Sequence, residues 1–297
     1  MATPLETRAG EHHAAAHGSY YLPQPSYWPL VGSIGLFFTA IGAANLIHGG
    51  SPLLISIGGT IVLIMLFGWF GTVIRENQRG LYNERVDTSF RWGMAWFIFS
   101  EVMFFGAFFF ALFYVRLFAV PWLGSAETAT NALLWPDYQA NWPTNGPGAL
   151  GGTFTPMAAW GIPALNTLIL LSSGVTVTWA HWGLKRDNRR QLILGLIATV
   201  VLGILFIGLQ AHEYSAAYTE QNLKLSTGIY GTTFFMLTGF HGLHVTIGAI
   251  MLAVMLMRAI AGHFTPRDHF GFEAAAWYWH FVDAVWLGLF VFVYWLI

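Results

Sequence analysis

Long apolar runs alternate with short polar connections along this chain of 297 residues. A helix that spans a membrane needs about 20 mostly apolar residues. Seven runs meet this length, at about residues 27–47, 52–74, 90–118, 162–183, 191–212, 229–257 and 272–297. The pattern therefore predicts an all-α integral membrane protein with seven transmembrane helices.

The composition agrees with a membrane protein and excludes several classes of function. Charged residues make up 9% of the chain, whereas soluble domains carry about 25%. The formal net charge of -1 gives no reason to expect a nucleic-acid partner. The chain has no Cys, which excludes disulfides, thiolate metal sites and a Cys nucleophile.

The Lys and Arg residues are distributed unequally over the connections. If the seven runs alternate in direction, 11 of the 13 basic residues fall on one side of the membrane, and only Arg116 and Lys224 fall on the other. Basic residues concentrate in cytoplasmic loops. We therefore expect a cytoplasmic N-terminus and, after seven crossings, an extracytoplasmic Ile297.

The chain is expected to divide after its second apolar run. The connection over residues 75–91 is the most charged one, and it separates two apolar runs from five. This pattern predicts a polar tail at residues 1–26, a two-helix unit with its charged loop at residues 27–89, and a five-helix bundle at residues 90–297.

The longest connection spans residues 119–160. It contains five Pro and four Trp, and it contains no Lys or Arg. Such a composition suits an extracytoplasmic loop that lies against a partner or against the membrane surface. The alternative is a loose insertion without a fixed structure.

Glu101 lies inside the third apolar run, ten positions after Arg91 and therefore about 15 Å deeper along a helix. Its neighbours one turn away are Phe97, Ile98, Phe104 and Phe105. Desolvation disfavours the charged carboxylate at that depth. Glu101 is therefore either a proton relay or a protonated carboxyl group that is hydrogen-bonded to a neighbouring helix, where His244 lies at a similar depth.

Two further pairs of ionisable residues recur at helical spacing, His241 with His244 and His280 with Asp283. Paired His could bind a metal or haem, but two ligands on one helix do not complete a site. Gly239, Gly242 and Gly248 favour close helix packing instead. We expect no metal site in this chain and a buried polar network of Glu101, His241, His244, His280 and Asp283.

Basic and aromatic residues at the cytoplasmic ends of the helices form a candidate lipid site. Arg258, His263 and Arg267 follow the sixth run, and Trp69 and Arg75 lie at the same level of the second. Basic pockets between helices hold anionic lipid headgroups. We expect Trp69, Arg75, Arg258 and His263 to contact phospholipid, unless the charges serve only the topology of the chain.

Five stretches of the chain carry a resemblance to a known family. They are HFGFEAAAWYWHFVD (residues 269–283), FHGLHVTIG (240–248), FIFSEVMFF (97–105), LNTLILLSSGVTVTWAH (165–181) and LQAHEYSAA (209–217). In these motifs and in their order the chain resembles cytochrome c oxidase subunit III. The resemblance extends from Trp28 to Leu296.

The resemblance implies two helices and five helices separated by a V-shaped cleft that holds phospholipid. It implies a subunit without haem or copper that packs against subunit I, the holder of the haem-copper site, while subunit II carries a binuclear copper centre. Such a complex passes electrons from cytochrome c to oxygen and pumps protons, and its third subunit stabilises subunit I and supports proton uptake.

The resemblance implies that Glu101 corresponds to the family's intramembrane acid. It implies that Arg258 and His263 correspond to the family's basic lipid contacts. A bacterial plasma membrane is the expected location.

Two other classes of function stay open. A transporter would use Glu101 or Asp283 to couple protons, but no run has the form of a broken half-helix in a repeated position. A related quinol-oxidising complex has a third subunit that typically lacks the first two helices. The runs at residues 27–47 and 52–74 therefore favour the version that oxidises cytochrome c.

Overall fold

The structure of the protein is a computed structural model that describes residues 21–125 and 128–297. These residues form helices and no β-strand; the helices are α1 (Trp28–Ile47), α2 (Leu53–Gln78), α3 (Glu84–Tyr114), α4 (Val120–Gly124), α5 (Ala129–Leu134), α6 (Ile162–Lys185), α7 (Arg189–Thr219), α8 (Gly228–Ile260) and α9 (Phe270–Leu289). Seven helical stretches in the described part of the chain are long and apolar enough to cross a membrane. The predicted fold class is confirmed. Most of the predicted polar tail, residues 1–20, lies outside the described residues.

Several helices are longer than the apolar runs that predict them. α7 continues to Thr219 rather than ending near residue 212. The third span starts at Glu84 and runs through a π-helical turn, Val115–Ala119, to Gly124. Pro121 does not end it, although proline has no backbone N–H to donate to the preceding turn; the π-helical turn Val115–Ala119 lies just before it. Hydropathy thus marks the residues in contact with hydrocarbon and not the ends of the backbone hydrogen bonding.

The first compact unit covers Met1–Phe90 and contains α1 packed against α2. The two backbones approach closely where Gly42 faces Ile55 and where Gly58 faces Thr39, so that a Cβ atom on either glycine would overlap its neighbour. Small residues allow this close approach of membrane helices. The indole Nε1 of Trp28 also donates to Thr72 Oγ1 at 3.3 Å.

The second unit covers Arg91–Ile297, and α9 is its most buried membrane helix. Trp279 and Trp286 of α9 are fully buried. Trp279 Nε1 donates to Ser173 Oγ of α6 at 2.8 Å, and Trp286 Nε1 donates to Thr167 Oγ1 at 2.9 Å. The two indoles fix the rotation of α9 about its axis, and this rotation determines where its ionisable residues point.

The long connection between α4 and α6 has a defined structure. Thr128 caps α5 by accepting from the backbone N–H of Asn131. The buried Asn131 side chain donates to three backbone carbonyls, those of Leu123, Trp135 and Tyr138. The Asn222 side chain donates to the carbonyls of Gly151 and Thr153, and so ties the connection to the turn before α8. The described part of the connection is therefore folded and is not the loose insertion that composition left open.

Candidate functional site

Glu101 of α3 and His244 of α8 form an inter-helix pair, as their matching depth predicts. Glu101 Oε2 lies 3.0 Å from His244 Nε2. The other ring nitrogen, Nδ1, lies 2.6 Å from the carbonyl oxygen of Phe240. A carbonyl oxygen can only accept, so Nδ1 carries a proton. The contact between Nε2 and Oε2 therefore holds one further shared proton.

Aromatic rings cover most of this pair. The His244 ring lies 5.0 Å from Phe105 and 5.9 Å from Phe104, and it stacks on Tyr278 at 6.3 Å between centroids. The side chains of His244 and Glu101 are 12% and 20% exposed. Phe97, expected to shield Glu101, is itself exposed and stacks on Tyr278. The pair therefore lies just beneath the surface of the second unit.

His241 and His244 do not act together, although they lie one helical turn apart. His241 is fully buried, and its Nε2 lies 3.1 Å from the carbonyl oxygen of Val282 on α9. Its ring packs against Trp286 and Phe206. The two imidazoles therefore make hydrogen bonds to different helices, and each serves helix packing.

The five residues predicted to form one buried polar network instead make three separate contacts. One of the five, His280, is not buried. Asp283 is 8% exposed, but the His280 side chain is 47% exposed. His280 Nδ1 lies 3.6 Å from Asp283 Oδ2, and its Nε2 lies 3.2 Å from Thr178 Oγ1. Residues three apart differ by about 60° around a helix. When Asp283 faces α6, His280 therefore lies at the edge of the same interface.

The candidate lipid contacts lie in both units, and each is described within its own unit. In the first unit, Trp69 is exposed, and the Arg75 guanidinium donates to the carbonyl oxygen of Gly71 on its own helix. In the second unit, Arg258 stacks over Phe264 at 4.6 Å. Arg258 Nε and His263 Nδ1 have no hydrogen-bond partner among the described residues. Both atoms are buried, so an anion would reach these side chains only at their other nitrogen atoms.

Glu213 is only 2% exposed, although it lies just beyond the predicted apolar run of residues 191–212. The reason is the extension of α7: the helix passes residue 212 and continues to Thr219, so that Glu213 stays inside the bundle. Its neighbour His212, about 100° further around the helix, is exposed.

Sequence reasoning missed a cluster at the other end of the second unit. Glu273 in the first turn of α9 is 8% exposed and pairs with the Arg91 guanidinium of α3. Its Oε1 lies 3.4 Å from Nε2 of His181 and 3.3 Å from Nε2 of His269. The i,i+4 spacing of His269 and Glu273 was the available signal. No spacing along the chain brings Arg91 or His181 to this position.

Comparisons with known proteins agree in assigning the chain. The profile of the family described as "Cytochrome c oxidase subunit III" matches residues 17–297. The chain belongs to this family.

Relatives named "Cytochrome c oxidase subunit 3" support the assignment over nearly the whole length. The one from Formosania lacustris is 44% identical over 93% of this chain and 97% of its own. The one from Scyliorhinus canicula is 44% identical over 93% and 96%, and the one from Marchantia polymorpha is 45% identical over the same shares. As a subunit III, the chain is one part of a cytochrome c oxidase complex and works with other subunits.

Substitution of Glu101 separates a structural role from a catalytic one. Glu101→Leu removes the partner of His244 Nε2, and an unsatisfied buried nitrogen costs about 1–3 kcal/mol. Glu101→Gln keeps an N–H donor for that nitrogen. We expect the Leu variant to lower the melting temperature of the detergent-purified complex and its content of subunit III, and the Gln variant to match wild type in both measurements.

Proton pumping in the same two variants is the second measurement. The Gln variant is expected to retain most of the turnover and pumping of wild type. A Gln variant that assembles normally but no longer pumps would show that Glu101 lies on the proton path.

Proposed function

We propose that this subunit III carries no haem or copper of its own and supports the redox subunits of a proton-pumping oxidase. Its partners are subunit I with the haem-copper site and subunit II with the binuclear copper centre, and cytochrome c is the electron donor to the complex. The supporting observation is that His241 and His244 are occupied by hydrogen bonds to α9 and α3. A haem iron takes one imidazole nitrogen. Of the four nitrogens in these two rings, only His241 Nδ1 has no hydrogen-bond partner, and His241 is fully buried against Trp286 and Phe206, which leaves no room for a haem.

The proposed contribution to proton chemistry is indirect. The Glu101–His244 pair ends at the Phe240 carbonyl, where the hydrogen-bonded chain leads back into the backbone of α8. We therefore assign to the pair the role of holding α3 on α8. Stabilisation of subunit I and support for rapid proton uptake then depend on the surface that the bundle offers to that subunit.

Removal of subunit III from the complex tests whether the redox centres lie in the other subunits and whether subunit III supports stability and proton uptake. The depleted complex is expected to keep its full haem and copper content and its initial electron-transfer rate, and to lose stability and proton-uptake rate. The control is a complex taken through the same detergent steps with subunit III retained. Loss of one equivalent of haem or copper with the subunit would contradict the proposal.

We propose the orientation given by the distribution of basic residues, with the N-terminus cytoplasmic and the connection between α4 and α6 outside. The folded connection supports this, because a structured surface without Lys or Arg suits contact with another subunit. The relatives named above come from animals and a liverwort, and location in a bacterial plasma membrane stays a prediction.

The absence of native Cys allows a direct test of orientation. Asn141→Cys in the connection is expected to react with an impermeant thiol reagent in intact cells. Arg186→Cys, an equally exposed position in the turn between α6 and α7, should react only in inverted vesicles. The reverse pattern of labelling would overturn the topology.

We also propose that both units bind phospholipid. In the first unit, Trp69 lines an apolar cavity of about 740 Å³ together with Trp28 and Phe90. A cavity of this lining suits an acyl chain. In the second unit, the basic side chains of Arg258 and His263 lie at and just after the end of α8, and they suit a phosphate.

The phosphate contact is tested by counting lipid. The double substitution Arg258→Ala with His263→Ala is expected to lower the number of phospholipids that co-purify with the complex, as measured by mass spectrometry. Arg267→Ala is the matched control, because Arg267 is exposed in the same turn. An unchanged count in the double variant would show that these residues serve topology alone.

A further inference from the structure

The cluster of His181, His269 and Glu273 has the geometry of a metal site. One ligand atom from each residue lies within 4.8 Å of the other two. The two distances from Glu273 Oε1 to the imidazole Nε2 atoms are 3.4 and 3.3 Å. Tetrahedral Zn²⁺ with bonds of about 2.0–2.1 Å separates its ligand atoms by about 3.3–3.4 Å. The two separations from Glu273 Oε1 match this edge length.

The hydrogen bonding of His269 orients its free nitrogen toward the cluster. Its Nδ1 lies 3.1 Å from the carbonyl oxygen of Thr265, which can only accept, so Nδ1 carries the proton. This leaves the lone pair of Nε2 facing Glu273 in the neutral ring. Zinc-binding histidines are oriented in the same way, by donation from the second nitrogen to a carbonyl or carboxylate.

The nitrogens that face the cluster have no hydrogen bond of their own. Nε2 of His181 and Nε2 of His269 are both buried and have no hydrogen-bond partner among the described residues. His269 and Glu273 are each 8% exposed. Buried polar atoms are nearly always satisfied. A cation between the two imidazoles and the carboxylate would satisfy all three groups together.

Arg91 occupies the other oxygen of the same carboxylate. Its guanidinium pairs with Glu273 Oε2, whereas both imidazoles face Oε1. The ion pair thus holds the carboxylate in place and leaves one oxygen for a ligand bond, as in metal sites whose carboxylates are hydrogen-bonded from behind. Arg91 and Lys185, which follows His181 by one turn, also add positive charge. Both cations weaken the affinity for a metal relative to a site without them.

We propose that His181, His269 and Glu273 bind a divalent transition-metal ion, with Zn²⁺ favoured by the two nitrogens and one oxygen. Water completes the tetrahedron. The ion joins the C-terminal end of α6 to the N-terminal end of α9, where Arg91 adds α3. This proposal replaces the expectation of a chain without a metal site, which considered only His pairs on one helix.

Titration of the intact oxidase complex with Zn²⁺ tests the site. The complex is first freed of loosely bound metal with a chelator, and bound zinc is then counted by elemental mass spectrometry after gel filtration. His269→Gln and Glu273→Gln are each expected to lower the affinity of one zinc equivalent by at least about tenfold, since even losing an outer partner of a ligand costs that much. His212→Gln, an exposed His at the other end of the bundle, should leave the count unchanged.

A measurement on wild type alone guards against variants that lose the subunit. Anomalous diffraction at the zinc edge from the Zn²⁺-treated complex is expected to show a peak between the three ligand atoms. A map without that peak would overturn the proposal. Equal zinc counts and affinities in wild type and in both Gln variants would overturn it as well and would assign the cluster to an ion pair between protonated His and Glu273.

Discussion

The absence of water from the bilayer core is the constraint on which the second unit depends. A polar side chain at that depth has to find its partner inside the protein. The structure meets this need with contacts between helices: Glu101 with His244, His241 with the Val282 carbonyl, Trp279 with Ser173, and Trp286 with Thr167. Each contact satisfies a polar group and at the same time fixes the rotation of a helix. Lipid tails are as apolar as the helices, so packing and these contacts set the arrangement.

The contacts are short only because small residues bring the backbones together. Ser173 and Gly174 of α6 face Trp279 and Asp283 of α9, and a Cβ atom at Gly174 would overlap the Asp283 carboxylate. Gly203 of α7 and Gly248 of α8 make room for the Trp279 ring in the same way. The glycines in the apolar runs therefore make room for the Trp279 ring of α9 inside the bundle.

The sequence predicted the helices and their order, because hydropathy reports directly which residues can face hydrocarbon. It did not predict where helices end: α7 passes residue 212 without a break, and Pro121 lies inside a helical stretch. It also predicted one contact between distant segments, Glu101 with His244, from depth alone. The depth of a residue in the membrane does not predict a contact that also depends on the rotation of its helix about the helix axis. His280 lies at the predicted level but at the edge of the interface, and the meeting of Arg91, His181 and Glu273 depends on the rotation of three helices.

The two Glu–His contacts of the bundle differ in what their neighbours leave free. At Glu101 the imidazole has committed its second nitrogen to the Phe240 carbonyl, and the described structure gives the carboxyl that one partner. A proton shared there has no further acceptor, which suits a tether. At Glu273 two imidazoles each direct a nitrogen without a hydrogen bond at one oxygen, and Arg91 holds the other. In that arrangement, a cation between the two nitrogens and the oxygen would satisfy all three atoms. The same pair of residue types therefore closes one interface and leaves a ligand position at another.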